Sequence, residues 1–82
     1  IADYVARANE DIAVIVQAEH IEAVQHIDAI AATPGVDALF VGPFDLSLSM
    51  GKAGQVDDPE VVAAIARVEE AGRAQGLALG YF

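Results

Sequence analysis

The sequence predicts an α/β fold with about three parallel strands and helices between them. Three observations predict it. Apolar runs, the first of them rich in β-branched residues, alternate with segments of helical periodicity. The runs are apolar on both faces, as strands buried in a parallel sheet are. Their order is helix, strand, helix, strand, loop, helix, strand, and such alternation joins parallel strands by right-handed crossovers.

Ile1, Val5 and Ala8 are apolar at helical spacing, so residues 1–8 are expected to be the tail of a helix. Asn9-Glu10-Asp11 ends it. Ile12-Ala13-Val14-Ile15-Val16 is the first strand, with Gln17-Ala18-Glu19 at its C-terminal end. Residues 20–32 form the next helix. Ala23, Val24, Ile27, Ile30 and Ala31 make its apolar stripe, and Glu22, Gln25, His26 and Asp28 face away. Thr33-Pro34-Gly35 stops it, since Pro cannot continue a helix and Gly suits the turn. Residues 36–41 are the second strand, closed by Gly42-Pro43. A long connection follows over 44–57, with a turn of helix at 46–50. Asp58-Pro59-Glu60 then combines an N-cap, a Pro at the first helical position and an acid in the first turn. Val61, Val62, Ile65, Val68 and Gly72 share one face of that helix. Gly76 ends it, and residues 77–82 are the third strand.

The chain has 82 residues, of which 55% are apolar. That share suits a folded chain belonging to something larger. It opens on an apparent helix tail without Met and stops inside an apparent strand. Residues 1–82 are therefore expected to be an internal fragment of a single domain. The net charge of −9 argues against nucleic acid and anionic membrane surfaces as partners. It suits solubility, and some of the carboxylates could hold a hard cation. There is no cysteine, which excludes disulfides and thiolate metal sites and permits a reducing compartment. No apolar run reaches the length of a membrane span and no signal peptide is visible, so the expected location is cytoplasmic.

A (β/α)8 barrel of roughly 250 residues divides into units of roughly 30. The first strand-to-strand step fits that length, and the second is longer by its loop. A doubly wound sheet stays open on pattern alone. In a barrel, the loops at the C-terminal ends of strands build the active site. Two polar groups fall there. Gln17 and Glu19 end the first strand and point the same way, because alternate side chains share a face. Asp45 follows the second strand. Ends of neighbouring strands lie about 5 Å apart, so Glu19 and Asp45 could bind one ion from two sides. Two carboxylates with waters and substrate oxygens suit Mg²⁺ or Mn²⁺. The structural alternative has Glu19 flanking the next helix and Asp45 capping the turn at 46–50.

Gln17-Ala18-Glu19, the run from Ile27 to Asp37 and above all the run from Leu39 to Gly51, with its Gly42-Pro43-Phe44-Asp45-Leu46-Ser47, resemble the HpcH/HpaI-type metal-dependent pyruvate aldolases. That family includes 4-hydroxy-2-oxoheptanedioate aldolase and the 2-keto-3-deoxy sugar-acid aldolases. The similarity extends to Asp58-Pro59-Glu60-Val61 and Gly76, and so covers nearly the whole chain. It implies a partial (β/α)8 barrel. Glu19 and Asp45 match the family's two protein ligands to a divalent metal, Mg²⁺ or Mn²⁺, with Co²⁺ also suitable. Gln17 matches the glutamine beside that site. The backbone at Phe44 and Asp45 matches the segment whose N–H groups receive the pyruvate carboxylate, and a turn opening at Asp45 would aim free N–H groups at an anion. The family's substrate arginine and acid/base histidine would lie before Ile1.

The implied reaction makes or breaks the carbon–carbon bond of 4-hydroxy-2-oxo or 2-keto-3-deoxy acids through a metal-stabilised pyruvate enolate. The implied partners are pyruvate, the 2-oxo acid and further copies of the chain in a homo-oligomer. Alternatives are a citrate lyase β-type lyase acting on a coenzyme A ester, and a non-catalytic barrel or interaction domain. A Schiff-base aldolase needs a buried Lys of depressed pKa; the sole Lys is Lys52, in a Gly-flanked loop. His20 and His26 lack the i, i+4 spacing of a helical zinc pair. Ser47 and Ser49 lack a nucleophile elbow, and local capping competes for them. Gly51-Lys52-Ala53 fails as a phosphate loop, because Leu46 and Ala53 stand where Gly and Ser or Thr are required.

Overall fold

The computed structural model describes residues 4–8 and 14–82. Four strands form one sheet in the order β1 (Tyr4–Ala8), β2 (Val14–Ala18), β3 (Ala38–Val41) and β4 (Ala78–Tyr81). The last three are parallel, as expected. Between β2 and β3 lie α1 (Ile21–Gln25) and α2 (Ile27–Ala31). Between β3 and β4 lie α3 (Pro43–Ser49) and α4 (Pro59–Ala74).

The N-terminal segment departs from expectation. Residues 1–8 read as a helix tail, but Tyr4–Ala8 is a strand antiparallel to β2, with Tyr4 opposite Ala18 and Ala8 opposite Val14. Three apolar positions do not fix a period, whereas pairing supplies partners for an otherwise open edge of β2. The expected break at Asn9-Glu10-Asp11 and strand start at Ile12-Ala13 lie outside the described residues.

The expected helix over 20–32 is divided at His26, whose φ of −110° and ψ of 15° are not helical. Its N–H reaches back three residues to the Ala23 carbonyl, and its ring Nδ1 donates to the Glu22 carbonyl at 2.9 Å. This local bonding competes with the regular helix ladder. The apolar stripe survives the break: Ala23, Val24, Ile27, Ile30 and Ala31 are all buried.

The connection after β3 is more helical than expected. Gly42 is the N-cap of α3 and Pro43 opens it, with a φ suited to the first helical position. Asp45 therefore sits inside the first turn and does not cap it. Gly51, at φ +73°, ends the helix. Its N–H bonds the Leu48 carbonyl and that of Lys52 bonds the Ser47 carbonyl, the paired closure of a Schellman motif. The same closure ends α4 at Gly76 and turns the chain into β4.

At its start, α4 is capped as its sequence predicts, with Asp58 Oδ1 accepting the Glu60 N–H at 2.9 Å. Its buried stripe is Val61, Ala64, Val68, Ala71 and Gly72. Val62, expected on that face, is exposed, since one residue rotates a helix by about 100°. All the helices that contact the sheet cover one side of it, where Val16, Ala18, Leu39 and Val41 join their apolar stripes in a single core. Gly72 permits the close approach of α4: a Cβ there would stand 2.6 Å from Leu79 Cδ2. Among the described residues, no helix is long and apolar enough to cross a membrane.

Two predictions follow from this packing. Ile27 is fully buried and Val62 is not. Ile27→Ala should cost about 2–5 kcal/mol, the range for an aliphatic truncation that leaves a cavity. Val62→Ala should change denaturant stability by less than about 0.5 kcal/mol. Lys52 Nζ donates to Glu60 Oε1 at 3.0 Å and lies 3.6 Å from Asp58 Oδ2. The hydrogen bond to Glu60, then the charge of Asp58, raise its pKa above 10.5. A pKa raised in the folded state adds stability that is complete below the unfolded value and lost as pH rises through the folded one. Denaturation midpoints of wild type and Lys52→Met should therefore differ at pH 9 and converge once Lys52 has deprotonated.

Candidate active site

The parallel register brings three strand ends into line. Ala18 pairs with Val41, and Val41 with Tyr81. The next residues, Glu19, Gly42 and Phe82, form the layer beyond them. A Cβ on Gly42 would stand 3.3 Å from Glu19 Cβ and 3.0 Å from Phe82 Cε2. Glu19 and Phe82 thus flank the point at which the chain leaves β3, and glycine leaves them room.

Along β2, burial alternates. Val16 and Ala18 are buried on the helix side, and Gln17 and Glu19 are partly exposed. Gln17 pairs with Phe40 in the register of β3. The Phe40 ring lies across Gly80, where a Cβ would meet its Cζ at 2.7 Å. An amide, a carboxylate and an aromatic ring therefore stand on or above the sheet face that the helices leave open.

Asp45 is exposed on the first turn of α3. The first main-chain bond of that helix runs from the Leu46 N–H to the Gly42 carbonyl, at 2.8 Å. The N–H groups of Phe44 and Asp45 precede it and fall at the positive end of the helix. Ser47, fully buried, donates to the Phe44 carbonyl at 2.6 Å. Ser49 donates to the Leu46 carbonyl at 2.8 Å and accepts the Ile21 N–H at 3.0 Å. Residues i and i+4 share a helix face. Ser49 thus reaches the segment that follows Glu19, and Asp45 lies one turn earlier on the same face of α3.

The donors available to a cation are consequently hard oxygens. Among the described residues no group of three His, Cys, Asp or Glu side chains comes together. His20 Nδ1 accepts the Glu22 N–H at 3.2 Å, and His26 bonds the Glu22 carbonyl. Lys52 is held by acids that raise its pKa, the reverse of what a Schiff-base lysine needs. A groove of about 500 Å³ opens between α1 and α4, with Ile21, Val24, Met50 and Arg67 among its lining residues. It belongs to the helical layer, whereas Gln17, Glu19 and Asp45 lie at the strand ends. Sequence reasoning did not foresee Phe82 beside Gly42 or the bond from Ser49 to Ile21.

Comparison with known proteins agrees with this fold. The sequence model of the HpcH/HpaI aldolase/citrate lyase family matches residues 2–82. A hydroxypyruvate/pyruvate aldolase of Chromohalobacter salexigens is 50% identical over 80 residues, which are 98% of this chain and 32% of that protein. A 5-keto-4-deoxy-D-glucarate aldolase of Enterobacter sp. is 43% identical over 76 residues, 93% of this chain and 30% of that protein. The crystal structure of an HpcH/HpaI aldolase/citrate lyase family protein from Burkholderia cenocepacia superposes with a TM-score of 0.83 at 53% identity, covering 85% of this chain and 27% of that one. The chain thus spans about a third of the length of the curated relatives it matches. With a family match over residues 2–82 and a shared α/β fold, this chain belongs to the HpcH/HpaI aldolase/citrate lyase family.

Proposed function

We propose that the chain supplies the metal-binding and carboxylate-receiving part of a pyruvate aldolase, a carbon–carbon lyase acting on 4-hydroxy-2-oxo or 2-keto-3-deoxy acids. Residues 1–82 would be an internal portion of a (β/α)8 barrel. One observation carries the reading: Glu19 lies against Gly42, the residue from which α3 departs with Asp45 in its first turn. The names of the aldolase relatives, which refer to pyruvate and a keto-deoxy sugar acid, support the substrate class.

Glu19 and Asp45 are the two residues that would hold a divalent cation, Mg²⁺, Mn²⁺ or Co²⁺. Their donor set fits such an ion, which favours carboxylate oxygens and keeps positions for water and substrate. When bound, the cation supplies Lewis acidity that stabilises negative charge developing on the ketone oxygen of pyruvate. The main-chain N–H groups of Phe44 and Asp45 receive the pyruvate carboxylate at the positive end of α3. Gln17 orients the substrate from the neighbouring strand by donating its amide N–H. Lys52 takes no part, because its ammonium is engaged by Glu60 and Asp58. A cytoplasmic homo-oligomer belongs to the same reading, and the exposed Phe44, Leu48, Val56 and Val62 are apolar surface that association would cover.

The test is exchange of the C3 protons of pyruvate with D₂O, followed by NMR on the full-length protein. Exchange should require Mg²⁺ or Mn²⁺. It should fall at least about 100-fold in Glu19→Ala and Asp45→Ala, the scale on which removal of charge-stabilising groups acts. A folded protein that shows no exchange with any divalent metal would sink the aldolase reading and favour the coenzyme A ester lyase or the non-catalytic barrel.

A further inference from the structure

We propose that Ser49 is a positioning residue for the Glu19–Asp45 pair, tying the segment that carries one carboxylate to the helix that carries the other. The inference rests on the metal-pair reading above and adds to it a residue that sets the spacing of the pair.

Three hydroxyls illustrate the difference. Thr33 donates to the Ala29 carbonyl and Ser47 to the Phe44 carbonyl, each within its own local segment. Ser49 makes the same kind of bond, to the Leu46 carbonyl, and also accepts the Ile21 N–H from an element 28 residues away. A hydroxyl has one donor hydrogen and two acceptor lone pairs. With its hydrogen committed to Leu46, the oxygen of Ser49 can hold the incoming N–H in a defined direction. The bond is part-buried, which limits competition from water. It also satisfies a donor that α1 itself cannot, since the first N–H groups of a helix have no intrahelical acceptor.

The position of the bond gives it a consequence at the site. Ile21 is two residues after Glu19, and Ser49 is one helical turn after Asp45 on the same face. The bridge therefore closes a short circuit through β2, β3 and α3 that has the two carboxylates on its path. No third protein ligand of the His, Cys, Asp or Glu type joins them among the described residues. The affinity of a two-carboxylate site depends on the spacing of that one pair. Removing the hydroxyl leaves the Ile21 N–H without its acceptor and frees the 19–21 segment to move relative to α3.

The experiment is Mn²⁺ binding to the metal-free full-length protein, with free Mn²⁺ measured by EPR. Ser49→Ala should weaken binding about tenfold, within the range for outer-shell partners of metal ligands. Ser49→Thr keeps the hydroxyl and should bind within about twofold of wild type, while Thr33→Ala, which removes a remote hydroxyl, should bind as wild type. Amide exchange at Ile21 should quicken in Ser49→Ala and recover in Ser49→Thr. If Ser49→Ala does not fold, Ser49→Cys carries the same expectations, since a thiol is a weak acceptor of similar size. Mn²⁺ binding that is lost in Glu19→Ala and Asp45→Ala but intact in the folded Ser49 variant would overturn the positioning role alone. Binding unaltered by Glu19→Ala and Asp45→Ala would overturn the metal pair and this inference with it.

Discussion

The hydrogen-bond register that sets Ala18 beside Val41 and Val41 beside Tyr81 is the constraint on which the candidate site depends. Side chains alternate across a sheet with a period of two, so a slip of one residue would exchange its faces. Val16, Ala18, Leu39 and Val41 must lie under the helices, because they join the one apolar core. That requirement sends Gln17 and Phe40 to the opposite face and carries Glu19 to the edge beside Gly42. The polar chemistry is thus positioned by apolar burial, worth about 25 cal/mol per Å². No polar contact has to choose the register.

The second constraint is how abruptly α3 begins. A strand that passes straight into a helix needs a residue able to make the corner and another already shaped for the first turn. Gly42 and Pro43 serve these ends in succession. The helix lasts seven residues before Gly51 closes it, and Lys52 then joins the loop to the start of α4 through Glu60 and Asp58. Such a short helix is marginal alone. Its stability must come from Leu46, which is fully buried, and from the hydroxyls of Ser47 and Ser49. The burial of Leu46 points one side of α3 into the core. Asp45, its immediate neighbour, is rotated by about 100° from it and emerges at the exposed edge.

Much of this was legible in the sequence. A β-branched run gave away β2, an apolar run closed by Gly42-Pro43 gave away β3, the Asp58-Pro59-Glu60 signature placed the start of α4, and Gly76 its end. What was missed shares a physical cause. The strand Tyr4–Ala8 is set by pairing with β2, a contact between segments that local periodicity does not contain. The break at His26 comes from a side chain competing for a main-chain carbonyl. Val62 fell outside the buried stripe because valine shows that a position tolerates burial, not which way it points. Spacing alone left Glu19 and Asp45 either a metal pair or two local caps. The family resemblance singled them out as ligands, and the observed N-cap of α3, Gly42, removes the capping role from Asp45.

The acidic balance of the chain bears on how such a site could receive its substrate. A net charge of −9 draws divalent cations and repels 2-oxo acids, which are anions themselves. Lys52 cannot offset that locally, being held by Glu60 and Asp58, and Arg67 stands 3.5 Å from Asp28 on the helical layer. On the proposed reading, attraction for a substrate carboxylate at the strand ends would come from the N–H groups opening α3 and from a cation held by Glu19 and Asp45. The two depend on each other. The N–H groups alone offer roughly half a positive charge, too little to outweigh two carboxylates nearby. With a divalent cation in place the local sum becomes positive, and the same N–H groups can then orient the anion. Metal would therefore bind before substrate, and substrate affinity would fall with any change that loosens the carboxylate pair.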